Sequence, residues 1–185
     1  EAAMPALLEA RPIGHLLDIG PGTGRLFELF GQAAHRVTAL DRSPDMLRLA
    51  RAKLPQDAGD KYALLLGDFL DLPLEPASVD TVLLHQVLHY AQAPEAAIAE
   101  AARVLTGEGR LLIADFAAHE REELRSRDQH ARLGFTDDQI AGWFADAGLA
   151  LDRVESLPGD QLTVKLWLGR RTGAQVLPLH ERKSA

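Results

Sequence analysis

Short apolar segments alternate with segments of helical period through most of the chain. Apolar runs bounded by turn residues predict strands, and apolar positions three or four apart predict helices. The predicted strands lie near residues 15–19, 36–40, 62–66, 79–84 and 109–115, and the predicted helices lie near 24–34, 44–54 and 94–105. This rhythm predicts βαβ units, and therefore a doubly wound α/β fold with a mostly parallel sheet covered on both faces.

The pattern changes towards the C-terminus. Residues 117–132 are rich in charge and predict an exposed helix or a lid, and Thr106–Gly109 predicts a turn before the fifth strand. Thr136 and Gln139 have the spacing of a capping box, which predicts the start of another helix. Two further strands are predicted, near 149–156 and 161–168. A four-residue turn joins them, so we expect the sheet to end in an antiparallel hairpin.

Length and composition bound the organisation of the chain. Its 185 residues are 46% hydrophobic and 25% charged, which is typical of one well-packed domain. We expect that domain to cover residues 1–168, with a lid-like segment at 117–135 and a tail without firm structure at 169–185. The chain begins at Glu1 without an initiator methionine, which indicates a fragment of a longer protein.

Charge and cysteine content narrow the function classes. A net charge of −7 argues against nucleic-acid binding by this chain, because such binding rests on neutralising phosphates. The chain has no cysteine, which excludes disulfides, thiolate metal sites and cysteine nucleophiles. Its apolar runs fall short of the roughly 18 residues that span a bilayer. We expect a cytoplasmic protein that does not bind membranes.

The most informative segment is a glycine-rich turn between the first strand and the first long helix. Gly20, Gly22 and Gly24 alternate with other residues there. The dinucleotide fingerprint G-x-G-x-x-G fails, because Arg25 or Phe27 stands where its third glycine belongs, and the P-loop spacing fails as well. Bare backbone at a helix N-terminus still favours a nucleotide-like cofactor. The alternative is a tight connection that binds nothing.

Acidic residues stand at three strand ends, namely Asp18, Asp41 and Asp68. Parallel strands end at the same edge of a sheet, so these carboxylates are expected beside the glycine turn. Asp41 suits the hydroxyls of a ribose, and Asp68 suits the amino group of an adenine. The Phe69 backbone would donate to the adenine ring, and Met46 would pack on its face. The structural alternatives are helix capping for Asp41, a simple turn for Asp68 and core filling for Met46.

These segments together resemble the class I S-adenosylmethionine-dependent methyltransferases. The resemblance covers about residues 10–168 and is carried by Leu16–Arg25, Asp41–Met46, Gly67–Phe69 and Val104–Ile113. It implies a Rossmann-like sheet of seven strands whose last strand is antiparallel, which agrees with the terminal hairpin.

The resemblance also implies roles for single residues, with S-adenosylmethionine as the cofactor. The turn Gly20–Gly24 would hold the methionine part, with Asp18 among the cofactor-binding residues. Asp41 would hold the ribose, and Met46, Asp68 and Phe69 would hold the adenine. His85, just past the fourth strand, would line the cofactor and face the reaction.

A narrower likeness concerns the C-terminal half. Residues 116–135 and 162–168 resemble the methyltransferase half of bacterial proteins that carry an arsenic-repressor-type winged-helix domain upstream. That likeness implies DNA contact through an N-terminal domain, not through this chain. Arsenite methylation is discounted, because its enzymes hold arsenic with cysteines.

Methyl transfer from a sulfonium is an in-line displacement, so positioning dominates and a base helps only a protonated acceptor. His85, His89, His119 and His130 are candidates, with His85 and His119 ranked first as catalytic residues, and a packing or surface role is the alternative for each. Converging histidines could also hold a metal, but the spacing of His85 and His89 does not favour one, and we expect no metal site.

Three functions are therefore weighed. The first is a methyltransferase acting on a small-molecule acceptor, and the second is a module of a transcriptional regulator that senses S-adenosylmethionine or S-adenosylhomocysteine without turnover. The third, a nicotinamide-dependent oxidoreductase, is disfavoured by the missing third glycine and by the antiparallel ending. The sequence predicts neither the acceptor nor the oligomeric state.

Overall fold

The computed structural model describes residues 2–9, 11–56 and 58–171. Seven strands form one sheet in the order β3-β2-β1-β4-β5-β7-β6. They are β1 (His15–Ile19), β2 (Arg36–Asp41), β3 (Tyr62–Leu66), β4 (Val79–His85), β5 (Leu105–Phe116), β6 (Leu149–Leu157) and β7 (Val164–Arg171). The helices are α1 (Met4–Leu8), α2 (Arg25–Phe30), α3 (Pro44–Arg51), α4 (Pro94–Val104), α5 (Glu123–Arg127) and α6 (Asp137–Asp146), with 3₁₀ turns at Gly59–Lys61 and Leu88–Tyr90.

Strands β1 to β5 are parallel to one another, as the alternation of apolar and helical segments predicts. Four of the five residues of β1 are buried, because helices cover the sheet on both sides. Strand order reverses on either side of β1, where β2 and β4 both pair with it. The carboxyl ends of β1 and β4 therefore border the crevice in which open α/β sheets bind their ligands.

Two apolar layers flank the sheet. One joins α4 and α6 to the sheet through Ile98, Phe144 and Trp167, all fully buried. The other joins the sheet to α1 and α2 and includes Met4 and Phe30. Helices α4 and α6 thus pack on one face of the sheet, and α1 and α2 pack on the other.

The predicted terminal hairpin is confirmed. Strand β7 runs antiparallel to both β5 and β6, so the sheet is mostly parallel with an antiparallel C-terminal strand. Its boundaries differ from the prediction, because β7 begins at Val164 and continues to Arg171. The first residues of the predicted tail thus pair with β5 and β6, and residues 172–185 lie outside the described part of the chain.

The predicted turn at Thr106–Gly109 lies inside β5 and does not precede it. Val79 pairs with Leu105, but Thr81 pairs with Arg110, so these four residues oppose one residue of β4. They form a bulge in which a Cβ at Gly109 would come within 2.8 Å of the Leu105 side chain. The observed helices α2 and α3 are shorter than the predicted helices at 24–34 and 44–54, because they end at Phe30 and Arg51.

Residues 117–135, which we call the lid segment, differ most from the prediction. Only Glu123–Arg127 is helical, and the remainder is irregular. Leu124 and His130 are buried, so the segment is not a wholly exposed face. The Ala118 N–H donates to Phe135 O, and the Arg132 N–H donates to His89 O. These bonds fold the lid segment against the carboxyl ends of β4 and β5.

The predicted capping box opens α6. The Thr136 hydroxyl accepts from the Gln139 N–H (3.2 Å), and the Gln139 side chain accepts from the Thr136 N–H (3.0 Å). We expect Thr136→Ala to lower the free energy of unfolding by about 1 kcal/mol, because it leaves a helix N–H without a partner. Urea unfolding measures this cost, and Thr23→Ala, at an exposed position outside α6, is the control. Equal stability of the two variants would contradict the prediction.

Among the helices of the described ranges, none is both long enough and apolar enough to cross a membrane.

Candidate active site

A cavity of about 650 Å³ opens at the carboxyl ends of β1, β2, β3 and β4. This volume is typical of a small-molecule or cofactor site. Each of the four strand ends contributes to its wall, and the lid segment closes one side. The lining residues are Gly20, Gly22, Leu40, Asp41, Arg42, Ser43, Met46, Gly67, Phe69, Gln86, Val87, Tyr90, Arg127, Asp128 and Gln129.

The glycine turn forms the floor beside β1. Gly22 has φ +52°, and a Cβ built there would meet nothing within 4 Å, so bare backbone faces open space in the cavity. At Gly20 a Cβ would come within 2.8 Å of the Val87 side chain. Gly24 is buried and lies outside the lining; a Cβ there would approach the Phe27 ring at 2.9 Å. Two of the three predicted glycines therefore face the cavity, and Gly24 serves the packing of α2.

Asp41 ends β2 and lies on the cavity wall. Its Oδ1 accepts from the Ser43 N–H at 2.8 Å, which fixes the orientation of the carboxylate. The Ser43 hydroxyl accepts from the Met46 N–H (3.3 Å) and caps α3. Since Ser43 performs the capping, Asp41 is not needed for it. Met46 is half-buried on α3 and lines the same wall.

The turn after β3 places its residues unevenly. Gly67 and Phe69 line the cavity, whereas Asp68 between them is exposed and does not. The Asp68 carboxylate accepts from the Leu70 N–H at 2.9 Å, which is an Asx turn. This geometry matches the structural alternative for Asp68, in which the residue only forms a turn. Its contact with an adenine stays a prediction.

Asp18 is fully buried in β1, and neither oxygen of its carboxylate has a hydrogen-bond partner in the described part of the chain. Burial, together with the nearby charge of Asp41, raises the pKa of Asp18 to about 7. A buried carboxylate without partners is costly. Asp18 is not among the residues that line the cavity, and its contact with a cofactor stays a prediction.

Five rings form a cluster, which we call the histidine cluster, where β4, β5 and the lid segment meet. His89 and His130 have ring centroids 4.3 Å apart, and Tyr90, Phe116 and His119 pack around them. Tyr90 also lines the cavity, so its ring separates the cavity from the cluster.

Hydrogen bonds within the cluster fix two imidazole tautomers. His89 Nδ1 lies 2.8 Å from Oδ1 of the buried Asp115, and a carboxylate only accepts, so Nδ1 carries a proton. The Arg121 N–H donates to His119 Nδ1 (3.2 Å), so a neutral His119 carries its proton on Nε2. Burial lowers the pKa of His119 and of His130, which favours their neutral forms.

The predicted catalytic histidines lie in different places. His85 is the last residue of β4 and is half-buried, and the cavity wall beyond it is formed by Gln86 and Val87. His119 lies in the lid segment, within the histidine cluster. No group of three His, Asp or Glu in the described residues is placed to hold a metal ion. The roles of His85 and His119 stay predictions.

Sequence reasoning missed several residues of the wall. Gln86 and Gln129 have φ values of +52° and +57°, which is a strained conformation for residues other than glycine, and both line the cavity. Tyr90 and the exposed pair Arg127 and Asp128 also line it. No local signal marks these positions, because strain and lid contacts arise only from tertiary structure.

The fold and the site define an α/β domain that binds an adenosine-type cofactor at the switch point of its sheet. The model of the methyltransferase domain family matches residues 17–113, which is just over half of the chain. The chain belongs to this family, whose members are S-adenosylmethionine-dependent methyltransferases.

Similar proteins agree with this membership. An uncharacterised methyltransferase of Mycobacterium tuberculosis is 43% identical over 96 residues, covering 52% of this chain and 37% of that protein. A malonyl-[acyl-carrier protein] O-methyltransferase of Serratia marcescens is 36% identical over 115 residues, covering 62% and 43%. The chain thus spans less than half the length of these relatives.

The fold is also found in solved structures. A Burkholderia thailandensis 1,6-didemethyltoxoflavin-N1-methyltransferase, solved with 1,6-didemethyltoxoflavin and S-adenosylhomocysteine, has a TM-score of 0.70 at 24% identity, with 92% of this chain and 76% of that one covered. At this identity the similarity shows the fold alone.

Proposed function

We propose that this chain binds S-adenosylmethionine and transfers its methyl group to a small-molecule acceptor. The observation that carries the proposal is the open backbone at Gly22 in a cavity also lined by Asp41, Met46 and Phe69. The buried carboxylate of Asp18 without a partner supports a cationic ligand group beside the glycine turn. The residues present therefore fit the cofactor.

Roles follow from these positions. The backbone of Gly20 and Gly22 would hold the methionine part of the cofactor. The ammonium group of that part would interact with the Asp18 carboxylate directly or through a water. Asp41 would accept from the ribose hydroxyls, since its other oxygen accepts no hydrogen bond from the described residues. Met46 and the Phe69 backbone would hold the adenine. When bound, the cofactor supplies an electrophilic methyl group on a sulfonium.

The acceptor is a separate part of the proposal. The Serratia relative is named for an acyl-carrier-protein substrate, and the Burkholderia neighbour for a heteroaromatic one. We favour a small molecule because residues 127–129 of the lid segment form part of the cavity wall and cover one side of the site. A cytoplasmic location stays a prediction from the sequence.

We expect Asp41→Ala to bind S-adenosylmethionine about 10- to 100-fold more weakly than the wild-type protein, because hydrogen bonds to a charged group contribute about 1.5–3 kcal/mol. Calorimetric titration measures the affinity. Asp45→Ala, at an exposed position of α3 four residues away, is the matched control and should bind normally.

Two outcomes would change the conclusion. Absence of S-adenosylmethionine binding to wild-type protein at millimolar concentration would end the proposal. Binding without methyl transfer to any compound in a metabolite extract would favour the sensing module.

A further inference from the structure

We propose that the histidine cluster is the acceptor end of the site, and that the acceptor is a planar aromatic compound carrying an ionisable O–H or ring N–H next to a hydrogen-bond acceptor atom. This inference rests on the proposed methyl transfer and names the substrate class and the base for it. Within it, His89 is the catalytic base, Asp115 is a positioning residue and His119 is a hydrogen-bond donor.

The first argument is the fixed tautomer of His89. The Asp115 carboxylate is fully buried and accepts from His89 Nδ1 (2.8 Å), from the His89 N–H (3.2 Å) and from the Phe116 N–H (2.8 Å). With the proton on Nδ1, the lone pair of a neutral His89 is on Nε2. The carboxylate stabilises the imidazolium that forms when Nε2 takes a proton, which is how a His–Asp pair promotes base catalysis.

The second argument is a pair of ring nitrogens without partners. His119 Nε2 and His130 Nδ1 are buried, and neither makes a hydrogen bond within the described residues. His119 Nε2 carries a proton, because its Nδ1 already accepts from the Arg121 N–H. It is therefore a buried donor that lacks an acceptor, which is energetically unfavourable. An acceptor atom of a bound molecule would relieve that cost.

The third argument is the shape and charge of the walls. Phe116 and His130 stack on each other with centroids 5.6 Å apart and ring planes inclined by 18°, and Tyr90 stands edge-on to His130. A molecule that enters among these rings replaces ring contacts, which favours a flat, neutral, π-rich molecule. The cations nearest His119, Arg121 and Arg125, are paired with glutamates on the surface of the lid segment.

Other acceptor chemistries fit less well. A carboxylate would enter beside the buried carboxylate of Asp115, and two like charges repel each other. An ammonium would meet the N–H of His119, and the oxygens of Asp115 already accept three hydrogen bonds. A weakly acidic O–H or N–H matches both the lone pair of His89 and the neighbouring donor.

An acceptor would reach the histidine cluster past Tyr90 and the lid segment, which can move at a small cost in free energy. The Tyr90 ring forms the partition with the cofactor cavity and is itself 42% exposed. The ion pairs of the lid segment, such as Arg121 with Glu123 and Arg125 with Glu122, lie on the surface, where such pairs contribute little. Motion of Tyr90 and the lid segment would open the cluster to the cavity.

The reaction then balances in one step. The acceptor heteroatom forms a bond to the methyl carbon while the carbon–sulfur bond breaks, and the sulfur keeps the electron pair and becomes neutral. The proton of the heteroatom passes to Nε2 of His89. His89 returns this proton to solvent after the product leaves.

The first test reads the tautomers and requires no substrate. In ¹⁵N-histidine-labelled protein saturated with S-adenosylhomocysteine, we expect the proton of His89 on Nδ1 and that of His119 on Nε2. Long-range nitrogen–proton NMR correlations distinguish the two tautomers, and single His→Gln variants assign the signals. The opposite tautomer at either ring would overturn the assignment.

The second test identifies the acceptor class. Methyl-labelled S-adenosylmethionine is incubated with 2-nitrophenol, 8-hydroxyquinoline and 2-quinolone, and in parallel with benzoate, succinate and benzylamine. We expect label on the oxygen or nitrogen of the first three compounds. Label only on a carboxylate or on benzylamine would overturn the inference but not the methyl transfer. Absence of label together with S-adenosylhomocysteine binding would overturn the acceptor class, and absence of that binding would overturn the proposed function.

The third test separates the base from a structural role. For the aromatic compound that is methylated, we expect His89→Gln to lower kcat about 100-fold and Asp115→Asn to lower it less, with KM and S-adenosylhomocysteine affinity little changed. His35→Gln, at an exposed position after α2, is the control. An equal loss of S-adenosylhomocysteine binding in both variants would assign the pair a purely structural role and overturn the proposal.

Discussion

Gly22→Ala is expected to bind S-adenosylmethionine about 10- to 100-fold more weakly than the wild-type protein while remaining folded, since filling an occupied space costs about 1–3 kcal/mol. A Cβ at Gly22 meets no atom of the protein within 4 Å, so the substitution clashes with nothing in the free protein. The added methyl group would instead occupy the space where the cofactor lies against the backbone. Calorimetric titration with S-adenosylmethionine measures the loss.

Gly59→Ala is the matched control for this prediction. Gly59 has φ +51°, against +52° at Gly22, and a Cβ there also meets nothing within 4 Å. Both variants therefore carry the same strain, of about 1–2 kcal/mol, from a left-handed backbone. Gly59 lies in a 3₁₀ turn before β3 and outside the cavity lining. If both variants lost affinity equally, strain and not occupancy would explain the effect.

The sequence predicts the sheet well because its signals are local. Strands β1, β2 and β4 are mostly buried. The caps at Ser43 and Thr136 are visible as short motifs. The alternation in the last strand also indicates its antiparallel pairing. The bulge in β5 could not be predicted, because Gly107 and Gly109 are equally typical of a turn that ends before the strand begins.

The residues proposed for the candidate site also fall into two groups, those that line the cavity and those that do not. Gly20, Gly22, Asp41, Met46 and Phe69 line one cavity as expected, since each follows a parallel strand that ends at the same edge. Gly24 and Asp68 have the right spacing, but local packing and an Asx turn account for their positions. Spacing alone does not distinguish a residue that lines the cavity from its neighbour.

The sequence offers His89, His119 and His130 as candidates but does not predict that they lie together with Asp115. His89 and Asp115 are separated by 26 residues, and only the pairing of β4 with β5 brings them together. His119 and His130 join them because the lid segment folds back through Leu133 and Phe135. The many charges of the lid segment predict an exposed helix. Its observed conformation depends instead on a few buried side chains, such as Leu124 and His130.

Asp18 carries the second large prediction, which concerns the pH dependence of stability without cofactor. Its carboxyl keeps a proton in the folded state up to a pKa of about 7, whereas an unfolded chain releases it near pH 4. Between these values the folded protein binds the extra proton, so the contribution of Asp18 to the free energy of unfolding falls as pH rises from 4 to 7. The total change is about 4 kcal/mol, with a plateau above pH 7.

Asp18→Asn isolates this contribution, because asparagine does not ionise. Urea unfolding from pH 4 to 8 should show the variant gaining stability relative to wild type by about 4 kcal/mol across that window. Asp60→Asn, at an exposed position, should show a constant difference. Added S-adenosylmethionine should flatten the wild-type profile, because its ammonium group favours the charged carboxylate and binding near pH 7 then releases a proton. Calorimetry in buffers of different ionisation enthalpy measures that release. A constant difference between Asp18→Asn and wild type would show that this carboxyl ionises alike in the folded and unfolded protein, and would contradict the prediction.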